Sequence, residues 1–178
     1  MYHQAMFHIR RFLLNAILFA TVITAPRVSA QPALGDRNII FYFDISNMSK
    51  DLQASAVSTA EMLIQRKVKP EDRMAVMVSE GAGKVTVKQD LTKDHKRVLE
   101  TVRHIVDNPA GNGNGNSLAP ITAVLSLAEA IPGEKTLFYF ARTVDPTPSQ
   151  AEWKSLRDRA ADSRIALYII DTPSAPAC

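Results

Sequence analysis

The stretch Asn38-Ile-Ile-Phe-Tyr-Phe-Asp44-Ile-Ser46-Asn-Met-Ser49 constrains the fold more than any other part of the chain. The consecutive bulky apolar residues Ile39 to Phe43 are too few for a helix and suit a strand buried on both faces. The run stops at an acid followed by hydroxyls. Asp44, Ser46 and Ser49 therefore fall at or just past the carboxyl end of that strand. In open α/β sheets ligands bind at that end, and oxygen donors there suit a hard cation such as Mg²⁺. Two readings of Asp44 stay open: a ligand for a metal or partner, or an acid that caps the next helix and bonds nearby amides. Ser46 shares both.

Further along, Leu52, Ala56, Ala60 and Leu63 recur at helical spacing and predict a helix from about Lys50 to Arg66, broken by Lys69-Pro70-Glu71-Asp72. Met74 to Val78 reads as a second buried strand. Gly81-Ala82-Gly83 then turns the chain into Lys84-Val-Thr-Val-Lys-Gln, whose period-two alternation predicts a half-exposed, antiparallel edge strand. That context excludes a dinucleotide fingerprint, which needs a helix after its glycines. A second helix carries Val98, Leu99, Val102, Ile105 and Val106 on one face, with Thr92 as its expected cap. Asp107 to Asn116 is turn chemistry throughout: a surface loop, or a cradle of backbone amides for an anion.

Ser117 opens a third helix through Leu118, Ile121, Val124, Leu125 and Ala128, ended by Pro132-Gly133. The hydroxyl of Ser117 reads as a helix cap or as a ligand. Thr136 to Phe140 is the next buried strand. The capping box Ser149-x-x-Glu152 starts a fourth helix with Trp153, Leu156 and Ala160 inward and a charged face through Lys154 to Arg164. Ile165 to Ile170 is the last strand, followed by Asp171-Thr172-Pro173. The order β-α-β-β-α-α-β-α-β predicts a three-layer, Rossmann-like α/β sandwich with a mostly parallel sheet and one antiparallel edge strand.

The amino terminus is set apart by composition. Arg10 and Arg11 precede the apolar run Phe12 to Val22, and Val28-Ser29-Ala30 has the form of a signal-peptidase site, so residues 1–30 are expected to be a signal peptide. The alternative, a membrane anchor, has too short an apolar core and is closed by Pro26 and Arg27. No stable membrane span is expected after cleavage, and the location is secreted or periplasmic. The chain has 21 basic and 18 acidic residues; without Arg10, Arg11 and Arg27 the two balance. No basic excess then argues for nucleic acid as a partner. Residues 31–36 form a short linker and 173–178 a Pro- and Ala-rich tail ending in the lone Cys178, which has no internal disulfide partner.

Phe41-Tyr-Phe-Asp-Ile-Ser-Asn-Met48, Asp72-Arg-Met-Ala-Val-Met77, Lys135-Thr-Leu-Phe-Tyr-Phe140 and Ile165-Ala-Leu-Tyr-Ile-Ile-Asp171 together resemble a von Willebrand factor type A domain of the bacterial VWFA-related group, over residues 37–172. The resemblance implies a metal site built from Asp-x-Ser-x-Ser, a loop Thr and a second Asp after the fourth strand. Asp44 and Ser46 match the first two positions. Met48 replaces the third, with Ser49 one residue along as a possible accessory. Ser117 stands in for the Thr. Ala141-Arg142 stands where the second acid belongs, leaving Asp145 to reach back through its loop. One carboxylate and two hydroxyls beside Arg142 imply weak Mg²⁺ binding or none. The resemblance also implies a further helix and strand beyond Ile170, which this sequence does not contain.

His95 and His104 lie on different faces, and no nucleophile has an evident base beside it. The expectation is a non-enzymatic module that binds a protein partner, with no certain cofactor. The competing reading is a hydrolase or nucleotide-handling enzyme using the Asp44 crevice.

Overall fold

A computed structural model of the chain describes residues 37–79, 84–109, 118–142 and 149–171. Its strands are β1 (Asn38–Phe43), β2 (Arg73–Ser79), β3 (Val85–Thr92), β4 (Lys135–Ala141) and β5 (Ile165–Asp171). Its α-helices are α1 (Lys50–Lys67), α2 (His95–Arg103), α3 (Leu118–Glu129) and α4 (Gln150–Asp162). Short 3₁₀ turns at Ile45–Asn47 and His104–Asp107 complete the order. The strands form one sheet in the order β3-β2-β1-β4-β5. All pairings are parallel except β2 with β3. The mixed α/β fold class expected from the sequence is the one observed. The expected signal peptide, linker and tail lie outside the described residues, as do Gly81, Gly83 and Cys178. No helix among the described residues is long and apolar enough to cross a membrane.

Every residue of β1 is buried because alternate side chains enter two different cores. Ile39, Phe41 and Phe43 face α1 and α2, with Leu52, Ala56, Ala60, Met74, Val76 and Val98 around them. Ile40 and Tyr42 face α3 and α4, with Ile121, Leu125, Leu137, Tyr139 and Leu156. The small residues Ala56 and Ala60 are fully buried and bring α1 close to the sheet. Stacked ring pairs join β1 to β4: Phe43 with Phe140 at 4.6 Å and Tyr42 with Tyr139 at 5.4 Å between centroids. Each such pair adds about 0.5–1.5 kcal/mol beyond the burial of its area.

One cap differs from expectation. Asp94, not Thr92, caps α2, its carboxylate accepting from Arg97 N at 3.1 Å. Thr92 instead ends β3, and its hydroxyl accepts from Asp94 N. The cause is the β2–β3 ladder, whose register shifts between Met74 and Met77 carry the strand past Gln89 and push the helix start along the chain. The capping box of α4 forms as expected, with Ser149 accepting from Glu152 N and Glu152 accepting from Ser149 N.

A buried acid anchors the opposite end of the sheet from Asp44. Asp72 has no side-chain exposure and receives Arg37 through two bonds, Nε to Oδ1 at 3.0 Å and Nη2 to Oδ2 at 2.6 Å. Lys69 N donates to Oδ2 at 2.8 Å. Burial pushes the Asp72 carboxyl up, but Arg37 and Lys69 together outweigh it and hold it below the usual range. The acid that breaks the helix in sequence thus ties the α1–β2 connection to the start of β1.

Candidate functional site

Asp44 continues β1 by one rung, its N–H donating to Phe140 O at 2.9 Å, before the chain turns into Ile45–Asn47. The residue is 1% exposed. Its carboxylate accepts from Ser46 Oγ at 2.8 Å on Oδ1, and from Asn47 Nδ2 at 2.8 Å and Tyr139 OH at 3.0 Å on Oδ2. The partnership with Tyr139 follows from register. Tyr42 pairs with Tyr139, and Asp44 lies two residues further along the same face, within reach of a phenol that leans along its strand.

The network extends sideways: the hydroxyls of Ser46 and Ser79 lie 3.3 Å apart, joining the ends of β1 and β2. Both tyrosines beneath are fixed as neutral phenols. Burial pushes Tyr139 far up, and the charge of Asp44 and the hydrogen bond to it push it further. Burial likewise raises Tyr42, opposed by the Ser79 hydroxyl and reinforced by Asp44. Tyr139 therefore serves Asp44 as a donor. It was missed in the sequence because its partner is 95 positions away and no local pattern links them.

The other candidates are distributed differently. Ser49 caps α1, its hydroxyl accepting from Leu52 N at 3.4 Å. Met48, at the position where the resemblance implies a third ligand, is fully buried among the apolar residues under α1 and α2. Ala141 is buried at the end of β4 and Arg142 is exposed. Ser117 and Asp145 lie outside the described residues. Among the described residues, no group of three or more His, Cys, Asp or Glu comes together. Hard cations are held by about six or more oxygen ligands. Among the described residues the site offers one carboxylate and one hydroxyl, already bonded to each other, while the thioether at the third position is packed into the core.

Two residues to which the sequence reading gave no site role hold the α2 side. Lys50 Nζ donates to Val106 O at 2.6 Å and to Asn108 O. Gln53 Nε2, in a fully buried side chain, donates to Pro109 O at 3.0 Å and Met48 O at 3.4 Å. Together they pin residues 106–109 against the start of α1. The signal was available: a Gln on the apolar stripe of α1 needs partners when buried.

Two recesses lie away from Asp44. One of about 410 Å³ sits at the start of β4 and β5 and includes Arg37, Lys135 and Arg164. The other, about 590 Å³, runs between α3 and α4 past Thr122, Ser155 and Arg159.

No family model and no curated protein matches the sequence. Among solved structures, the chain is similar to the conserved hypothetical protein BatB from Bacteroides thetaiotaomicron, with 17% identity over 76% of this chain and 66% of that one and a TM-score of 0.48. It is similar to an aerotolerance-related membrane protein from Bacteroides fragilis, with 16% identity over 76% and 67% of the two chains and a TM-score of 0.47. A third similarity is to the PilB minor pilin from Streptococcus sanguinis, with 12% identity over 61% and 30% and a TM-score of 0.48. The chain thus spans about two thirds of the two Bacteroides proteins and under a third of the pilin.

Proposed function

We propose that this chain is an extracytoplasmic, non-enzymatic protein-binding module of the von Willebrand factor A kind, which docks its partner at the carboxyl ends of β1 and β4 without a metal ion. The observation that carries the reading is the closed bonding of Asp44. Its carboxylate is occupied by Ser46, Asn47 and Tyr139, so the acid stiffens the crest. The crest is flanked by the segment pinned through Lys50 and Gln53 on one side and by exposed Arg142 on the other. A rigid lip at the carboxyl end of a parallel sheet is a favoured place for docking.

The test has two arms. Calorimetric titration of the full chain with Mg²⁺, Mn²⁺ and Ca²⁺ is expected to give no submillimolar binding; such binding, abolished by Asp44→Asn, would overturn the metal-independent reading. A photo-cross-linking residue in place of Arg142 is expected to trap a protein from the envelope fraction, and one in place of exposed Glu100 on α2 is not. Equal capture at both positions, or none at 142, removes the crest as the docking surface.

A further inference from the structure

The two edges of the sheet are built differently. β3 carries Lys88 and Asp90 and pairs with β2 through register shifts, the devices that keep an edge from joining another sheet. β5, Ile-Ala-Leu-Tyr-Ile-Ile-Asp, has no lysine, no proline and an unbroken ladder to β4 from Lys135↔Ile165 to Ala141↔Asp171. Among the described residues no strand pairs with its other side. Tyr168 is 52% exposed and Ile169 38% exposed, on opposite faces of the strand. A row of rings, Phe41 to Phe138 at 5.5 Å and Phe138 to Tyr168 at 5.4 Å, runs from the middle of the sheet and stops at this edge.

The sequence of β5 complements itself when reversed. A two-fold axis perpendicular to a sheet keeps each face on its own side, so only residues of like parity can stand opposite each other. Centred on Tyr168, antiparallel pairing sets Tyr168 against its own copy, Leu167 against Ile169 and Ala166 against Ile170. Every one of these contacts is apolar or aromatic. The ends are charged in opposite senses: exposed Arg164, in no ion pair among the described residues, precedes the strand and Asp171 closes it. Antiparallel pairing brings the basic end of each strand beside the acidic end of the other, at both ends of the contact.

We infer that β5 is an interface for a second copy of this chain, paired antiparallel about Tyr168 to join two sheets into one. The assembly leaves the Asp44 crest out of the contact and is independent of the function proposed for it.

Light scattering after gel filtration of the full chain, over a micromolar concentration series, is expected to give twice the chain mass. Tyr168→Lys places like charges across the axis and is expected to give the monomer over the same range. The register is tested by cysteine pairs in a Cys178→Ser background. Tyr168→Cys oxidises to a linked dimer, because its two copies face each other at about 4.5–5.5 Å between Cα atoms. Ala166→Cys does not, since its two copies are offset by four residues, about 13 Å at the rise of a strand, beyond disulfide reach. A monomer at every concentration, whether the edge is covered by the chain's own further residues or open to a foreign strand, overturns the inference. So does a dimer indifferent to Tyr168→Lys, or equal cross-linking at 166 and 168.

Discussion

Replacing Tyr139 by Phe removes one hydroxyl and keeps the ring that stacks on Tyr42, so the change isolates the bond from Tyr139 OH to Asp44 Oδ2. A hydrogen bond to a charged group contributes about 1.5–3 kcal/mol, and the isosteric ring leaves no cavity of consequence. At about 2.1 cal/mol/K per residue of unfolding entropy, a domain of roughly 140 residues loses about 3 °C in Tm per kcal/mol. Tyr139→Phe is therefore expected to melt about 5–10 °C lower, with a lower urea midpoint and an unchanged m-value. Asp44→Asn is expected to cost at least as much, because its NH₂ group meets donors from Ser46, Asn47 or Tyr139. The double variant should show a coupling of about 1 kcal/mol or more. The pH profile adds an independent sign. The folded state holds Tyr139 above its unfolded value, so the stability it contributes is complete below a pH of about 10 and is lost as pH rises beyond it. Tyr139→Phe should flatten that alkaline loss. A change under about 0.5 kcal/mol, within the range of ordinary surface substitutions, would refute the inward-held carboxylate.

Asp72→Asn breaks the paired bonds from Arg37 and is expected to cost about 1–3 kcal/mol at neutral pH, measured by urea unfolding. Because the folded state holds Asp72 below its unfolded value of about 3.9, its contribution is present above that pH and lost as pH falls through the folded value; the variant should show less acid sensitivity. Ser149→Ala removes the hydroxyl that accepts from Glu152 N and should lower stability by about 1 kcal/mol in the same assay. Lys50→Ala and Gln53→Leu release the carbonyls of Val106, Asn108 and Pro109, and deuterium uptake over residues 104–109 is expected to rise while β1 stays protected.

The sheet was legible wherever burial on two faces leaves a continuous apolar signature, as in Ile39 to Phe43 and Met74 to Val78, and wherever half-exposure leaves alternation, as in β3. The Ser149–Glu152 box was legible because its bonds close within three residues. What escaped depends on distant strands. The start of α2 moved because the β2–β3 ladder, bulged near Val76, kept residues through Thr92 in the strand. The partner of Asp44 escaped because it is fixed by the β1–β4 register, which no local pattern encodes. The role of Met48 was half legible: a thioether is a poor ligand for a hard cation, but only packing reveals that the side chain fills the core.

The bonding around Asp44 makes its two sequence readings compete for the same lone pairs. An ionised carboxylate offers about four acceptor positions, and Ser46, Asn47 and Tyr139 take three. One position stays open to a cation, and a bidentate grip would have to displace one of those donors. That loss costs about 1.5–3 kcal/mol, a sizeable part of the about 4 kcal/mol that millimolar affinity represents. The bonds that fix the end of β1 against β4 thus compete with a bidentate grip on a cation at Asp44, and a partner meeting this crest meets an acid whose oxygens already accept hydrogen bonds from its own chain.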